Sequence, residues 1–335
     1  MMTMKSRLLQ IRTWLTMCAL AVLLYSCEKE VELIIPPAEN KYVIEGTIEN
    51  GQPPFVLISQ TKDYNQAISA SSFNGFYLGG ATVVVTNNGV RDTLQEICVG
   101  DLPQELLEQV IELTGISPGL LVGANVCGYL DLDGSTSGIP NQTYGLEVTI
   151  NDETFTSSTS IPGLISLDSL WFEVAGDDPV DSLGFAYATI TDPDTVGNAY
   201  RWFAKRINTY PAWADKAGEQ KDNQFIAPLG SSYDDSFFNG LNFEFAYYRG
   251  SLIGSDKDDD FNEERGFFKL GDTVAVRGTH IDRDTYNYVV SFEAEAGSAG
   301  NPFTAPSPIY TNIQGGAIGV WAGYAAQYDT LIAVP

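Results

Sequence analysis

Short runs of β-branched and alternating residues, separated by turn dipeptides, recur along most of the chain. The run 144–150 alternates polar and apolar residues, and Asn-Gly or Gly-Gly pairs stand between several such runs. A period of two between tight-turn signals predicts antiparallel strands. Residues 284–292 fit either a strand or a capped helix. The predicted strands cover 42–48, 55–59, 81–86, 93–94, 144–150, 154–156, 169–174, 185–190, 200–207, 243–248, 273–277, 317–321 and 328–334.

The length and composition predict two mainly β domains. The chain has 335 residues, of which 44% are hydrophobic, and about 310 residues exceed what one core usually organises. The strand pattern pauses at Ile161-Pro162-Gly163. We therefore expect two antiparallel β-sandwich-like domains, residues 41–163 and residues 164–335.

The N-terminal segment has the pattern of a bacterial lipoprotein signal. Three basic residues precede an apolar stretch over 14–24, and Ser26 stands before Cys27. This pattern predicts removal of residues 1–26 and acylation of Cys27, followed by a tether over 27–40. The alternatives are an uncleaved signal anchor and an ordinary secreted protein.

Two cysteines remain outside this segment, Cys98 and Cys127. In an exported protein such a pair predicts a disulfide, and two unpaired buried thiols are the alternative. Between them, residues 101–115 begin with a capping aspartate and keep a helical apolar spacing. The first domain is therefore expected to carry a short helical insertion stapled at its base.

The charge of the chain disfavours one class of partner. There are 43 acidic and 18 basic residues, for a formal net charge of −25. Proteins that bind nucleic acid gain affinity by placing lysine and arginine against phosphates. We therefore expect no nucleic-acid partner.

The motifs that could indicate catalysis fail on mechanism. Residues 115–119 match the Gly-x-Ser-x-Gly pattern around Ser117, but the next residue, Pro118, has no N–H for an oxyanion. The single histidine, His280, cannot build a multi-histidine zinc centre. We expect a strand-end histidine bonded to a neighbouring carboxylate, and a protein that is not an enzyme.

One acidic segment could bind calcium. Asp256, Asp258 and Asp260 offer oxygen ligands at alternate positions, but Phe261 and Phe267 stand where an EF-hand loop needs glycine and glutamate. A solvated acidic loop is the alternative. No other cofactor is expected. Weaker candidates of the same kind are Asp131-Leu132-Asp133-Gly134 and Asp192-Pro193-Asp194.

An Asp-Ser/Thr pair followed by leucine or valine occurs six times in the chain. It resembles the sites at which exported Bacteroidota proteins are O-glycosylated. An aspartate in a turn followed by β-branched residues is also a common strand start. The candidate acceptors are Thr93, Ser169, Ser182, Thr195, Thr273 and Thr330.

The order of several short segments resembles a known family. Residues 27–33 followed by 42–54 resemble the start of the Bacteroidota lipoproteins called domain of unknown function 4249. The resemblance implies an outer-membrane address and a frequent TonB-dependent receptor neighbour, and it supplies no catalytic residues. Further matching segments are 79–85, 97–98 with 127–129, 271–274, 301–303 and 312–319.

Together these features predict a non-enzymatic lipoprotein of the outer membrane that faces the cell surface. It would act as a binding accessory of a TonB-dependent receptor in nutrient capture. The alternatives are a calcium-assisted glycan-binding or glycan-hydrolysing surface protein and a purely structural envelope protein. Six aromatic residues are candidates for a shared ligand or partner face: Trp171, Trp202, Trp213, Tyr247, Tyr248 and Trp321.

Overall fold

Strands make up most of the computed structural model, which confirms the mainly β prediction. It describes Trp14 and residues 40–61, 76–103, 126–176, 183–208, 222, 224–250, 266–298 and 307–334. The strands are β1 (Tyr42–Glu49), β2 (Phe55–Gln60), β3 (Thr82–Asn87), β4 (Val90–Thr93), β5 (Gln95–Cys98), β6 (Cys127–Leu130), β7 (Gln142–Ile150), β8 (Glu153–Ile161), β9 (Leu167–Val174), β10 (Leu183–Thr191), β11 (Ala199–Arg206), β12 (Ser232–Asp234), β13 (Asn242–Tyr247), β14 (Phe268–Lys269), β15 (Thr273–Ile281) and β16 (Ile318–Ile332). One α-helix of this part, α1, spans Arg283–Ser298.

The largest sheet has eight strands in the order β12-β11-β15-β16-β1-β2-β6-β5. Its neighbours are antiparallel except β1 and β16, which pair in parallel from Val43 opposite Ile318 to Glu49 opposite Tyr324. The sheet joins strands from both sides of residue 163, and residues 40–335 form one compact unit. The predicted domain boundary at residue 163 is therefore wrong, because β1 and β16 need each other as sheet neighbours.

Two smaller sheets contribute to two cores with the large sheet. The sheet β4-β3-β7-β8 shares a core with β1, β2 and β16, which includes Ile48 and Tyr144. The sheet of β9, β10, β13 and β14 shares a second core with β11, β15 and β16, which includes Phe172 and Trp202. Alternate residues of β16 enter these cores at Trp321 and Leu331.

The opposite face of the large sheet carries α1. Tyr286 and Tyr288 of this helix pack on a third cluster that includes Ala322 and Tyr324. Asp282 caps the helix, because its Oδ1 accepts a hydrogen bond of 2.8 Å from the Thr285 N–H. The capped-helix alternative for 284–292 is confirmed.

Cys98 and Cys127 lie opposite each other on β5 and β6 and form a disulfide, which confirms that prediction. The bridge ties an edge strand of the large sheet to its neighbour. Most of the predicted helical insertion between the two cysteines, residues 104–125, lies outside the described residues. No helix within the described ranges is both long enough and apolar enough to cross a membrane.

Candidate binding surface on the large sheet

The face of the large sheet that carries α1 also holds a group of cationic and aromatic side chains. Successive side chains of a strand point to opposite faces. Because Ile48 belongs to the first core, Glu49 lies on the helix side of β1, and by the same alternation Arg277 and Tyr328 lie on that side of β15 and β16. Cross-strand register sets Arg277 between Phe203 and Tyr328.

Arg277 is the centre of this group. Its guanidinium carbon lies 4.4 Å from the ring centroid of Phe203 and 4.9 Å from that of Tyr324. The same guanidinium forms a salt bridge with Glu49, and the Tyr328 hydroxyl donates to the other Glu49 oxygen. Cation–aromatic and charge-assisted contacts therefore fix the cation from several directions.

The electrostatics keep this arrangement in one charge state. Burial lowers the pKa of Arg277, but Glu49 and the neighbouring tyrosines outweigh it, so the pKa rises above its usual value. Burial raises the pKa of Tyr328 to about 12, where the hydrogen bond to Glu49 adds to the effect and Arg277 opposes it. Near neutral pH Arg277 is therefore charged and the Tyr328 hydroxyl is a neutral donor.

Further rings and cations extend the group. The Arg201 guanidinium lies 4.9 Å from the Phe203 centroid. The Lys205 ammonium lies 4.7 Å from the Phe225 centroid, and this ring meets Tyr328 edge-on at 5.7 Å. We call the set the cation–aromatic surface. Its members are Glu49, Arg201, Phe203, Lys205, Phe225, Arg277, Tyr324 and Tyr328.

The exposed part of this surface is Tyr328, at 57% exposure. Phe225 beside it is half-buried. Amphipathic rings held in place beside charged groups suit a ligand that has a flat apolar face and polar substituents. Such an arrangement can hold a ligand by stacking on a ring and by hydrogen bonds to charged groups.

The aromatic residues singled out from the sequence do not share one exposed face. Trp202 and Trp321 are 2% and 0% exposed and belong to different cores. Trp171 is half-buried and stacks on Tyr187 with centroids 5.6 Å apart. Tyr247 and Tyr248 are half-buried, and Trp213 lies outside the described residues. The predicted face is therefore wrong as a group, because alternation sends most of these rings inward.

His280 lies on the core side of β15. Its Nδ1 is 2.8 Å from the carbonyl oxygen of Gly163, and its ring stacks on Tyr200 at 5.2 Å. Burial lowers the pKa of His280 below 6.5 despite the nearby carboxylates of Asp192 and Asp235. The partner is therefore a backbone carbonyl rather than the predicted carboxylate, and the side chain is neutral near pH 7.

Acidic side chains meet at one place of the described chain where a metal could bind. Carboxylate oxygens of Asp92, Asp131 and Asp133 lie within 4.8 Å of one another. The buried Asp131 accepts hydrogen bonds from the backbone N–H groups of Gly134 and Thr136, at 3.0 and 2.6 Å. The motif Asp131-Leu132-Asp133-Gly134, a weaker candidate in the sequence, therefore has the carboxylate of Asp92 beside its own two. The main candidates, Asp256, Asp258 and Asp260, lie outside the described residues.

The candidate glycosylation sites differ in accessibility. Thr93, Ser169, Thr195 and Thr330 are exposed, whereas Thr273 is half-buried. Asp272 is 0% exposed and forms a salt bridge with Arg206, so this copy of the tripeptide serves the fold. Ser182, Ser117 and the predicted lipidation site Cys27 lie outside the described residues.

Comparison with known proteins identifies the family of the chain. The model of the domain of unknown function DUF4249 matches residues 28–329. The chain belongs to this family. No curated protein matches the sequence.

A solved structure with weak similarity is a cycloalternan-degrading enzyme from Trueperella pyogenes in complex with cycloalternan, at 11% sequence identity. The match covers 84% of this chain and 34% of that enzyme, with a TM-score of 0.21. The chain therefore spans about a third of the enzyme's length, and this similarity carries no functional argument.

Proposed function

We propose that the protein is a lipid-anchored protein of the outer membrane, held by acylated Cys27 with its body at the cell surface. It acts without catalysis, as a binding accessory that presents a nutrient ligand to a TonB-dependent receptor. The chain belongs to DUF4249. Its residues 27–33 and 42–54 resemble the start of the lipoproteins of this family, and this resemblance supports the outer-membrane location. The body has sandwich-like layers that hold the binding surface rigid.

The cation–aromatic surface is the observation that carries the proposal. Arg277 is held between two rings and paired with Glu49, so the groups around Tyr328 are ordered before a ligand arrives. Pre-organised groups lose little conformational entropy on binding. A sugar or another ligand with a flat apolar face can stack on Tyr328 while its hydroxyl or carboxylate groups meet the neighbouring cations.

Lipidation is tested with the Cys27→Ala variant in the native host. We expect the wild-type protein in the outer-membrane fraction, labelled by an alkyne fatty acid and cleaved by proteinase added to intact cells. The variant should lose both the label and the membrane association. A labelled wild-type protein that intact cells protect from proteinase would contradict the surface orientation.

Ligand binding is tested by a thermal-shift screen of oligosaccharides and aromatic metabolites on the purified protein. A ligand that raises the melting temperature is then measured against Tyr328→Ala, with Val90→Ser as the matched control, because Val90 is also exposed, at 69%. We expect at least a tenfold weaker Kd for Tyr328→Ala only, since stacking on one ring contributes about 1.4 kcal/mol or more. Equal affinity in both variants would refute the site.

A second candidate function is a calcium-assisted glycan-binding or glycan-hydrolysing protein. The carboxylates of Asp92, Asp131 and Asp133 favour it, because calcium takes oxygen ligands. Under this alternative, calcium raises the melting temperature of the wild type but not of Asp133→Asn, and glycan binding or cleavage needs calcium. Ligand binding that is unchanged in EDTA would exclude it.

A further inference from the structure

Two apolar side chains are almost fully exposed to solvent beside the paired ends of β11 and β12. Val196, in the loop between β10 and β11, is 89% exposed, and Phe237, in the 3-10 turn after β12, is 95% exposed. Both values are far above those of a half-buried surface residue. We call Val196 and Phe237 the apolar tip. The signal for this feature in the sequence is weak, since single apolar residues in loops are common.

Buried carboxylates join the two loops that carry the tip. Asp192, 2% exposed, accepts hydrogen bonds from the Tyr200 hydroxyl, from Asn198 Nδ2 at 3.3 Å and from the Gly240 N–H at 3.0 Å. Its own N–H donates to the Leu241 carbonyl at 3.0 Å. One side chain therefore bridges the β10–β11 loop and the segment that follows Phe237.

Asp235 completes the link from the other loop. It is 1% exposed, and its Oδ2 accepts from the N–H groups of Gly197 and Asn198 at 2.7 and 2.9 Å. In the described part of the chain, neither Asp192 nor Asp235 forms a salt bridge with lysine or arginine. Buried carboxylates are costly unless they are fully hydrogen-bonded, and a satisfied network of this kind makes the loops rigid. The tip is therefore pre-organised.

The tip lies on the chain-entry side of the row of the sheet in which β1 ends. The chain enters β1 after Asn40, and β1 ends at Glu49, about 26 Å away for eight residues in extended conformation. Register places Glu49, Tyr324, Ile281 and Ala199 in one row across four strands. The loop with Val196 leads directly into Ala199, and β11 runs in the same direction as β1, so the tip extends from the Glu49 row back towards the end at which the chain enters β1.

The charged side chains beside the tip are the exposed Asp194 and the Asp234–Arg283 salt bridge, which together carry a net negative charge. Asp194 is exposed, and its carboxylate accepts a hydrogen bond of 3.4 Å from Asn239 of the neighbouring loop. The whole chain carries a formal net charge of −25. An anionic lipid surface repels such a tip, whereas basic side chains around an apolar pocket complement it.

We propose that the apolar tip docks into an apolar pocket with a basic rim on a partner protein. Rigid apolar anchors at the centre of an interface carry most of its binding energy. The tip lies in loops, whereas the cation–aromatic surface lies mainly on strands. Under this proposal the protein therefore has one surface for a ligand and another for a partner. Docking by the tip therefore does not depend on ligand binding at Tyr328.

The test places a photo-crosslinking amino acid at position 237 of the full-length protein in its native host. The same amino acid at position 90 is the matched control, because Val90 is an exposed apolar residue of the β3–β4 hairpin. We expect one discrete adduct with a second protein from position 237 only. No adduct, adducts at both positions, or an adduct with lipid or with a second copy of the chain overturns the proposal.

The partner identified by mass spectrometry is then purified and its affinity is measured. We expect Phe237→Ser to weaken binding tenfold or more, since truncation of a central anchor has effects of this size, and Val90→Ser and Tyr328→Ala to leave the affinity unchanged. Affinity should fall as salt rises. Equal affinity for Phe237→Ser, or binding of the wild type to phosphatidylethanolamine–phosphatidylglycerol vesicles through this residue, overturns docking. Loss of binding in Tyr328→Ala alone argues against two separate surfaces.

Discussion

The salt bridge between Arg206 and Asp272 should dominate the response of this fold to a single substitution. Both side chains are buried, at 1% and 0% exposure, and the carboxylate meets the guanidinium through Nε at 2.7 Å and Nη2 at 2.9 Å. The same carboxylate accepts the Lys269 N–H at 2.8 Å. Asp272→Asn keeps the shape of the side chain and removes the carboxylate charge that directly contacts the buried guanidinium.

The magnitude follows from the burial of both partners. Removing one partner of a buried ion pair costs about 3–5 kcal/mol, because the remaining charge stays out of water without compensation. Replacing both partners with apolar residues of similar volume is close to neutral in other proteins. The double variant Arg206→Met, Asp272→Leu also loses the hydrogen bond from the Lys269 N–H. We expect this loss to lower its free energy of unfolding by about 1 kcal/mol.

Equilibrium urea unfolding at pH 7, followed by tryptophan fluorescence, measures these differences. Trp202 and Trp321 are buried in two cores and report loss of packing. We expect Asp272→Asn to lower the free energy of unfolding by about 3–5 kcal/mol at an unchanged urea slope, and the double variant to recover most of this loss. A loss below about 1 kcal/mol in Asp272→Asn, or a double variant less stable than the single one, would refute the reasoning.

Further expectations concern the disulfide, the buried histidine and glycosylation. Replacing Cys98 and Cys127 with serine should lower the free energy of unfolding by roughly 3 kcal/mol in chemical denaturation, since the bridge closes a loop of 29 residues. Because the pKa of His280 lies below 6.5 in the folded protein, the unfolded chain binds the proton more readily. The destabilisation caused by His280 should therefore be absent well above pH 6.5 and grow as the pH drops below it, and His280→Gln should flatten the resulting decline of stability in thermal melts. If the Asp-Ser/Thr sites are glycosylated in the native host, the intact mass should drop by one glycan in Thr330→Ala and remain unchanged, apart from the substitution, in the half-buried Thr273→Ala.

Most strands were predictable because one of their faces is buried and the other is not. Strand β16 is the informative exception, since two separate strands were expected where one runs from Ile318 to Ile332. Its middle, from Trp321 to Ala326, is buried throughout, under the core on one side and α1 on the other. A strand that is buried on both faces shows no alternation, so the pattern disappears where the strand is most central.

The candidate surfaces could not be predicted from the sequence, because they depend on contacts between distant residues. Glu49 and Arg277 are 228 positions apart, and only the parallel pairing of β1 with β16 brings them together. Asp192 belongs to a weak acidic motif in the sequence, yet its partners in the second loop follow more than 40 residues later. The boundary predicted at residue 163 failed for the same reason, since a local turn says nothing about which strands pair.

The continuity of the large sheet gives these two surfaces a mechanical relation. Strand β11 contributes Phe203 to the cation–aromatic surface and Tyr200, on the opposite face, to the carboxylate network under the apolar tip. The seven parallel register pairs of β1 with β16 run from the entry side of the sheet to the row that ends beside the tip. A sheet fixed in this way acts as a rigid spacer that holds ligand and partner at constant separation. If the two proposed surfaces bind a ligand and a receptor, transfer of the ligand would require the receptor's own binding site to lie within reach of Tyr328 and would require no conformational change in this protein.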